Sequence, residues 1–211
     1  MSAYLITGTD VGVGKTHVIC ALLRDLTRRG ISCMGCKPVA CGDRKELRAM
    51  REAAGAPTMN LDVLNPLYLR TGADPRVGAE FEHRRVMIDE LAAATLGLVQ
   101  EYETLLVEGA GGWETPLCAG KTMAALATAL QLPVILVVSN RQGALNHAIM
   151  TLRAIRSCGL ECRGMILNQL GEEWDTAAVT NRAMLEEYTG LPVLAELIYG
   201  EEELDSASVL D

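Results

Sequence analysis

Three side chains stand where an apolar run gives way to glycines or a polar turn: Lys15 in GTDVGVGKT (8–16), Lys37 in CKPVACGD (36–43) and Glu108 in LLVEGAGGWETPL (105–117). The first stretch follows a short apolar run and opens a helical pattern, the context a phosphate loop requires. Its glycines let backbone N–H groups approach phosphates, and the helix N-terminus adds a favourable field. Lys15 would reach the β and γ oxygens, and the Thr16 hydroxyl can hold Mg2+. One departure is a loop longer by one residue than the usual pattern, with Thr9, Asp10, Val11, Gly12 and Val13 between Gly8 and Gly14. A purely structural turn is the alternative, and the order strand, glycines, GKT, amphipathic helix speaks against it.

Lys37 and Pro38 close the second apolar run, at the sheet edge where ligands of open α/β sheets gather. Taken alone, Lys37 reads more readily as a surface lysine at a strand end. Glu108 ends another run and is followed by Gly109, Ala110, Gly111 and Gly112, so a ligand could come close to the backbone. In a phosphate-loop protein that carboxylate would bind Mg2+ directly or through water, a task usually given to aspartate; capping a turn is the alternative. SNRQGALNHAIMT (139–151) opens a helix near Gly143, whose free N–H groups could hold a carboxylate, as those of any helix start could.

These residues need a scaffold, and the rest of the chain describes one. Strand-like runs recur at Tyr4–Ile6, Ile31–Cys36, Thr104–Val107, Pro133–Val138, Cys162–Leu167 and Pro192–Leu197, separated by helix-period stretches. That alternation predicts an α/β fold of the phosphate-loop NTPase kind, with a mainly parallel sheet covered on both faces. The first helix carries Val18, Ile19, Leu22, Leu23 and Leu26, and stops at Arg28, Arg29 and Gly30. A later one carries Leu145, Ala148, Ile149, Leu152 and Ile155, and stops at Gly159. Residues 56–86 are the least regular part, read as a long functional connection. Residues 200–211 read as a solvated end or a short cap.

The 211 residues suit one domain spanning 1–211, and a net charge of −8 disfavours nucleic acid as a partner. No apolar run approaches membrane-spanning length, so no membrane partner is expected and the chain reads as soluble and cytoplasmic. Among seven cysteines, Cys33 and Cys36 form a CxxC on a strand, where positions three apart face opposite ways, and His17, His83 and His147 have no ligand spacing. Ordinary reduced cysteines are expected.

TGTDVGVGKT, KPVACG, VEGAGGWETPL, PVILVV and GALNHAIMT occur in an order that resembles the dethiobiotin synthetase family, over residues 1 to about 168. The resemblance implies a homodimer that uses ATP, Mg2+ and CO2 to close a ureido ring on 7,8-diaminopelargonate. It assigns Gly12, Val13, Gly14, Lys15, Thr16, His17 and Asn168 to the nucleotide, and Thr16, Glu108 and Glu46 to the metal, with Asp43 competing for the place of Glu46. Lys15 and Lys37 become the catalytic cations. Substrate falls to Val11, Lys37, Cys41, Gly111 and Gly112, and to Gly143, Ala144, Leu145 and Asn146 reaching over from the neighbouring subunit.

Some positions depart from the family pattern. Val11 and Cys41 stand where hydroxyls are usual, Asp74 replaces a small polar residue before Pro75 in the substrate-lid segment, and Ile198 replaces a proline near the adenine loop. An acid at 74 could repel a carboxylated substrate or favour an amine. Two rivals follow: a related ATP-dependent ligase with a different amine or acid, and a nucleotide-switched ATPase of the MinD or ParA type. The second generally needs an early loop lysine, and Gly8, Thr9 and Asp10 supply none.

Overall fold

In the computed structural model, which describes residues 1–173 and 175–210, every residue of Thr104–Glu108 and Val134–Ser139 is buried. Unbroken apolar runs of this kind belong to parallel strands covered by helices on both faces. The elements in chain order are β1 (Ser2–Gly8), α1 (Lys15–Arg28), β2 (Cys33–Cys36), β3 (Val39–Cys41), α2 (Lys45–Ala53), α3 (Leu61–Leu64), β4 (Leu67–Leu69), α4 (Pro75–Phe81), α5 (Ile88–Leu98) and β5 (Thr104–Glu108). They continue with β6 (Pro116–Cys118), β7 (Lys121–Thr122), α6 (Met123–Leu130), β8 (Val134–Ser139), α7 (Ala144–Ser157), β9 (Cys162–Asn168), α8 (Thr176–Thr189), β10 (Val193–Leu197) and α9 (Ser206–Leu210).

The six expected strands form one sheet in the order β10-β9-β8-β1-β5-β2, parallel throughout. Alternate residues feed opposite cores. In β8, Val134, Leu136 and Val138 join one apolar cluster, while Ile135 and Val137 join the other. The first cluster contains Leu91 of α5, Leu126 of α6 and Leu152 and Ile155 of α7; the second contains Val18, Leu22 and Leu26 of α1. Cys33 and Cys36 likewise fall in opposite clusters, as a two-residue period demands.

One expectation needs correction. Residues 56–86 are not a structureless connection: α3, β4 and α4 lie there, β4 pairs in parallel with β3, and Leu64, Leu67, Leu69 and Ala79 are buried. Three-residue strands are too short to display alternation, and Pro75 sits in the first turn of α4, where it starts a helix rather than breaking one. Of the two forms expected for the tail, the short cap is the one observed. Leu204, Val209 and Leu210 are buried in the α1-side cluster, and the Tyr4 hydroxyl donates to the Leu210 carbonyl. Asp211 lies outside the described residues.

Asp25 of α1 anchors this cap, accepting from the Ser206 amide at 2.9 Å and the Ser206 hydroxyl at 2.6 Å. The hydroxyl bond, helped by the Ser206 amide and Arg28 against the effect of burial, holds its carboxyl below the usual aspartate range. A depressed carboxylate stabilises fully above its unfolded pKa, and the contribution is lost as pH falls through the folded value. Denaturant titration of Asp25→Ala at neutral pH should show a loss of about 1–3 kcal/mol. Acidification below the aspartate range should bring the wild type toward the variant.

Candidate active site

Strand register brings the first three groups together. Glu108 on β5 is the partner of Ile6 on β1, and Val107 is the partner of Cys36 on β2. Glu108 therefore ends the middle strand, with the phosphate loop leaving β1 on one side and Lys37 leaving β2 on the other. Its carboxylate is 1% exposed and engaged at both oxygens: Thr16 Oγ1 donates to Oε2 at 2.7 Å, and Lys37 Nζ donates to Oε1 at 2.6 Å. The Lys37 ammonium also donates to the Glu46 carboxylate. Asp43, its competitor, is turned instead to the amide and ammonium of Lys45.

Burial charges these groups differently. Isolated buried ions cost several kcal/mol, so each persists only with partners. Burial pulls the pKa of Lys37 down, but Glu108 and Glu46 together outweigh it and hold the ammonium above its ordinary value. Lys15 donates to the Asp10 carbonyl at 3.0 Å. For Lys15 burial wins over Glu108, and the charge of Lys37 adds to the lowering.

The loop is folded by close approach. A Cβ on Gly14, at φ +88°, would sit 1.9 Å from the Asn168 amide nitrogen, so only glycine fits. That nitrogen donates to the Val13 carbonyl at 2.9 Å, tying the end of β9 beneath the loop. Gly111, at φ +66°, gives way in the same manner to Thr115, whose hydroxyl accepts from the Gly112 amide at 2.9 Å. A Cβ on Gly112 would meet Asp10 and Thr9 at 3.5 Å, so the two glycine-rich loops lie against each other. His17, by contrast, is exposed, and its Nε2 contacts the Glu201 carbonyl at 2.8 Å.

A cleft of about 370 Å³ gathers Val11, Lys37, Cys41 and Gly111, with Glu46 and Asp74 also in its walls. Burial pushes the Cys41 thiol up to about 11, so it stays protonated and is no nucleophile at neutral pH. Ala144 faces a separate cleft of about 70 Å³ shared with Gly12 and Val13, so the start of α7 does not meet Lys37 within one chain. Three contributors escaped sequence reasoning. Asn65 donates to the Lys37 and Leu67 carbonyls, both at 2.9 Å, and locks the lysine's backbone. Thr115 shapes the Gly111 turn, and Trp113 buries its indole with Nε1 unpartnered among the described residues. A hydroxyl and an aromatic inside a glycine-rich run were the available signal. A larger cavity, about 780 Å³, lies elsewhere, beside Arg44, Asp62, Tyr68 and Arg84. Arg44 there is paired with Asp62 at 2.5 Å, and Arg84 donates to the Tyr68 carbonyl at 2.9 Å.

Known proteins resemble this chain in sequence and in fold. A family model described as an AAA domain matches residues 2–205. An ATP-dependent dethiobiotin synthetase of Akkermansia muciniphila is 44% identical over 211 residues, covering 100% of this chain and 99% of that one. One from Xylella fastidiosa strain 9a5c is 41% identical over 81% of this chain and 78% of its own. The chain belongs to the ATP-dependent dethiobiotin synthetase family. Its fold is shared more widely. The septum site-determining protein MinD of Pyrococcus horikoshii, solved with Mg-ADP, superposes with a TM-score of 0.62 at 18% identity, covering 93% of this chain and 81% of that one. Chloroplast FtsY of Physcomitrella patens gives 0.62 at 15%, over 98% of this chain and 63% of that one.

For a dethiobiotin synthetase the donors around Glu108 suit a magnesium ion. The Thr16 hydroxyl and the Glu108 and Glu46 carboxylates are hard oxygen ligands, few enough to leave positions for water and phosphate. No helix among the described residues is long and apolar enough to cross a membrane. The buried pair makes a stability prediction. Glu108→Ala leaves Lys37 with Glu46 alone and should cost about 3–5 kcal/mol in urea unfolding. Because the Lys37 pKa is raised, its own contribution is complete below the ordinary lysine value and is lost as pH rises through the raised one.

Proposed function

We propose that this chain carboxylates 7,8-diaminopelargonate with CO2 and closes the ureido ring of dethiobiotin at the expense of ATP. The observation that carries the reading is Lys37, a buried ammonium at the junction of the Glu108 cluster and the 370 Å³ cleft. One substrate amine adds to CO2 and releases a proton, giving a carbamate. A carbamate oxygen attacks the γ-phosphorus and ADP leaves. The second amine then attacks the carbonyl carbon of the mixed anhydride, and phosphate leaves with the oxygen that joined them.

Each anionic step needs fixed positive charge. Lys15 stabilises the transferring phosphoryl group, and Lys37 stabilises the carbamate beside it. The backbone from Gly12 to His17 cradles the nucleotide phosphates, with Asn168 reading the base from beneath the loop. Gly111 and Gly112 bring backbone toward the substrate. Thr16, Glu108 and Glu46 would hold Mg2+, which when bound neutralises charge on the phosphate oxygens. Lys37 donates to the same two carboxylates, which keep its ammonium charged at the edge of the cleft.

The working form is a cytoplasmic homodimer in which residues 1–211 act as one unit. Gly143 to Asn146 of one subunit receive the substrate carboxylate bound in the other. Support comes from the start of α7, which opens onto its own cleft away from Lys37, and from Val11, 67% exposed at the loop tip between both clefts. A different amine or acid substrate is the competing reading, favoured by the missing hydroxyls at Val11 and Cys41 and by the acid at Asp74.

Phosphate release from MgATP should require both the diamine and bicarbonate. Lys37→Ala should lose ring closure by about 100-fold or more while nucleotide affinity, measured by equilibrium titration, changes only a few fold. Full turnover in that variant would contradict the role of Lys37. Stabilisation by another amino compound alone, in a thermal-shift comparison with nucleotide present, would favour the competing substrate.

A further inference from the structure

The cleft that contains Lys37 also holds an exposed carboxylate with no partner among the described residues. Asp74 occupies the N-cap of α4, a position from which aspartate ordinarily accepts a backbone N–H of the first turn, yet its side chain makes no cap bond. Among the described residues that carboxylate has neither a hydrogen bond nor an ion pair. Nearby cations are committed elsewhere: Arg76 to Glu80, Lys45 to Asp43, and Lys37 to Glu108 and Glu46. Pro75 at the helix start and the packing of Gly78 against Leu69 fix the backbone that presents it.

Cys41 lies near both charges, and Lys37 and Asp74 line one cleft of a size suited to a small molecule. A substrate that turns an anionic group to Lys37 has Asp74 in the same cleft for a group that bears N–H. An ionised carboxylate accepts strong N–H bonds and donates none. The cleft's other two departures cannot do this: Val11 has no polar atom, and a protonated thiol is a weak acceptor.

We propose that Asp74 accepts N–H bonds from the free amino group of the substrate, the one not carried as carbamate, and so selects a diamine over a monoamine. This rests on the function proposed above. Asp74 thereby takes over the acceptor role that a hydroxyl at Val11 or Cys41 would have filled, and the acid at this position serves recognition of an amine.

The test pairs Asp74→Ala, which removes the acceptor without removing a cap bond, with Asp74→Glu, which keeps a carboxylate. Steady-state kinetics should show KM for the diamine raised about ten- to hundredfold in Asp74→Ala, with KM for ATP unchanged and most of the loss restored in Asp74→Glu. A monoamine analogue lacking the second amino group should bind wild type and Asp74→Ala equally. An unchanged diamine KM in Asp74→Ala, or equal increases for ATP and diamine, would overturn the assignment while leaving the proposed function intact. Failure of the wild type to form a cyclic urea from the diamine would overturn both.

Discussion

A buried ammonium cannot stand alone, and in this protein the need to neutralise Lys37 organises the whole edge of the sheet. Glu108 meets that need from the middle of three adjacent strands, and Thr16 occupies its second oxygen. Taking both charges out of water is costly, and their attraction offsets that cost only with short contacts and satisfied lone pairs. Two contacts of 2.6 and 2.7 Å on a fully engaged carboxylate meet the condition.

Everything that holds the pair in place is backbone order. The strand sequence β1-β5-β2 sets phosphate loop, carboxylate and lysine side by side, and Asn65 fastens the Lys37 carbonyl so that the side chain leaves from a fixed point. Asn168 reaches beneath the phosphate loop from β9, using space that Gly14 leaves open. Lys15 and Lys37 share burial but not its outcome: the first is lowered because desolvation dominates, the second raised because two carboxylates face it. One site thus carries cations of two kinds, one held by loop carbonyl and one by carboxylates.

The large parallel sheet was legible because its strands are apolar on both faces and its first and seventh helices carry clear stripes. Lys15, Thr16, Lys37 and Glu108 were legible for a related reason, since each lies at a strand end or loop where such sheets collect ligands. What stayed hidden is built from short pieces. The β3–β4 pair is too brief for periodicity, and acidic neighbours left the C-terminal segment open between a solvated end and the cap that Asp25 and buried Val209 and Leu210 hold. Glu46 could not be separated from Asp43 by spacing, because the choice depends on which carboxylate the turn before α2 directs toward Lys37. Thr115 and Asn65 act on backbone groups, and no residue pattern announces that.

On the proposed function, Thr16 and Glu108 face the metal while the Lys37 ammonium faces the transferring phosphoryl group. A crystal structure with Mg2+ and a non-hydrolysable ATP analogue tests this most directly. The expected result is a divalent ion in contact with oxygens of Thr16 and Glu108, and Lys37 Nζ directed toward the γ-phosphate. A filled nucleotide site with the metal held by other residues and Lys37 Nζ turned away from the γ-phosphate would contradict it.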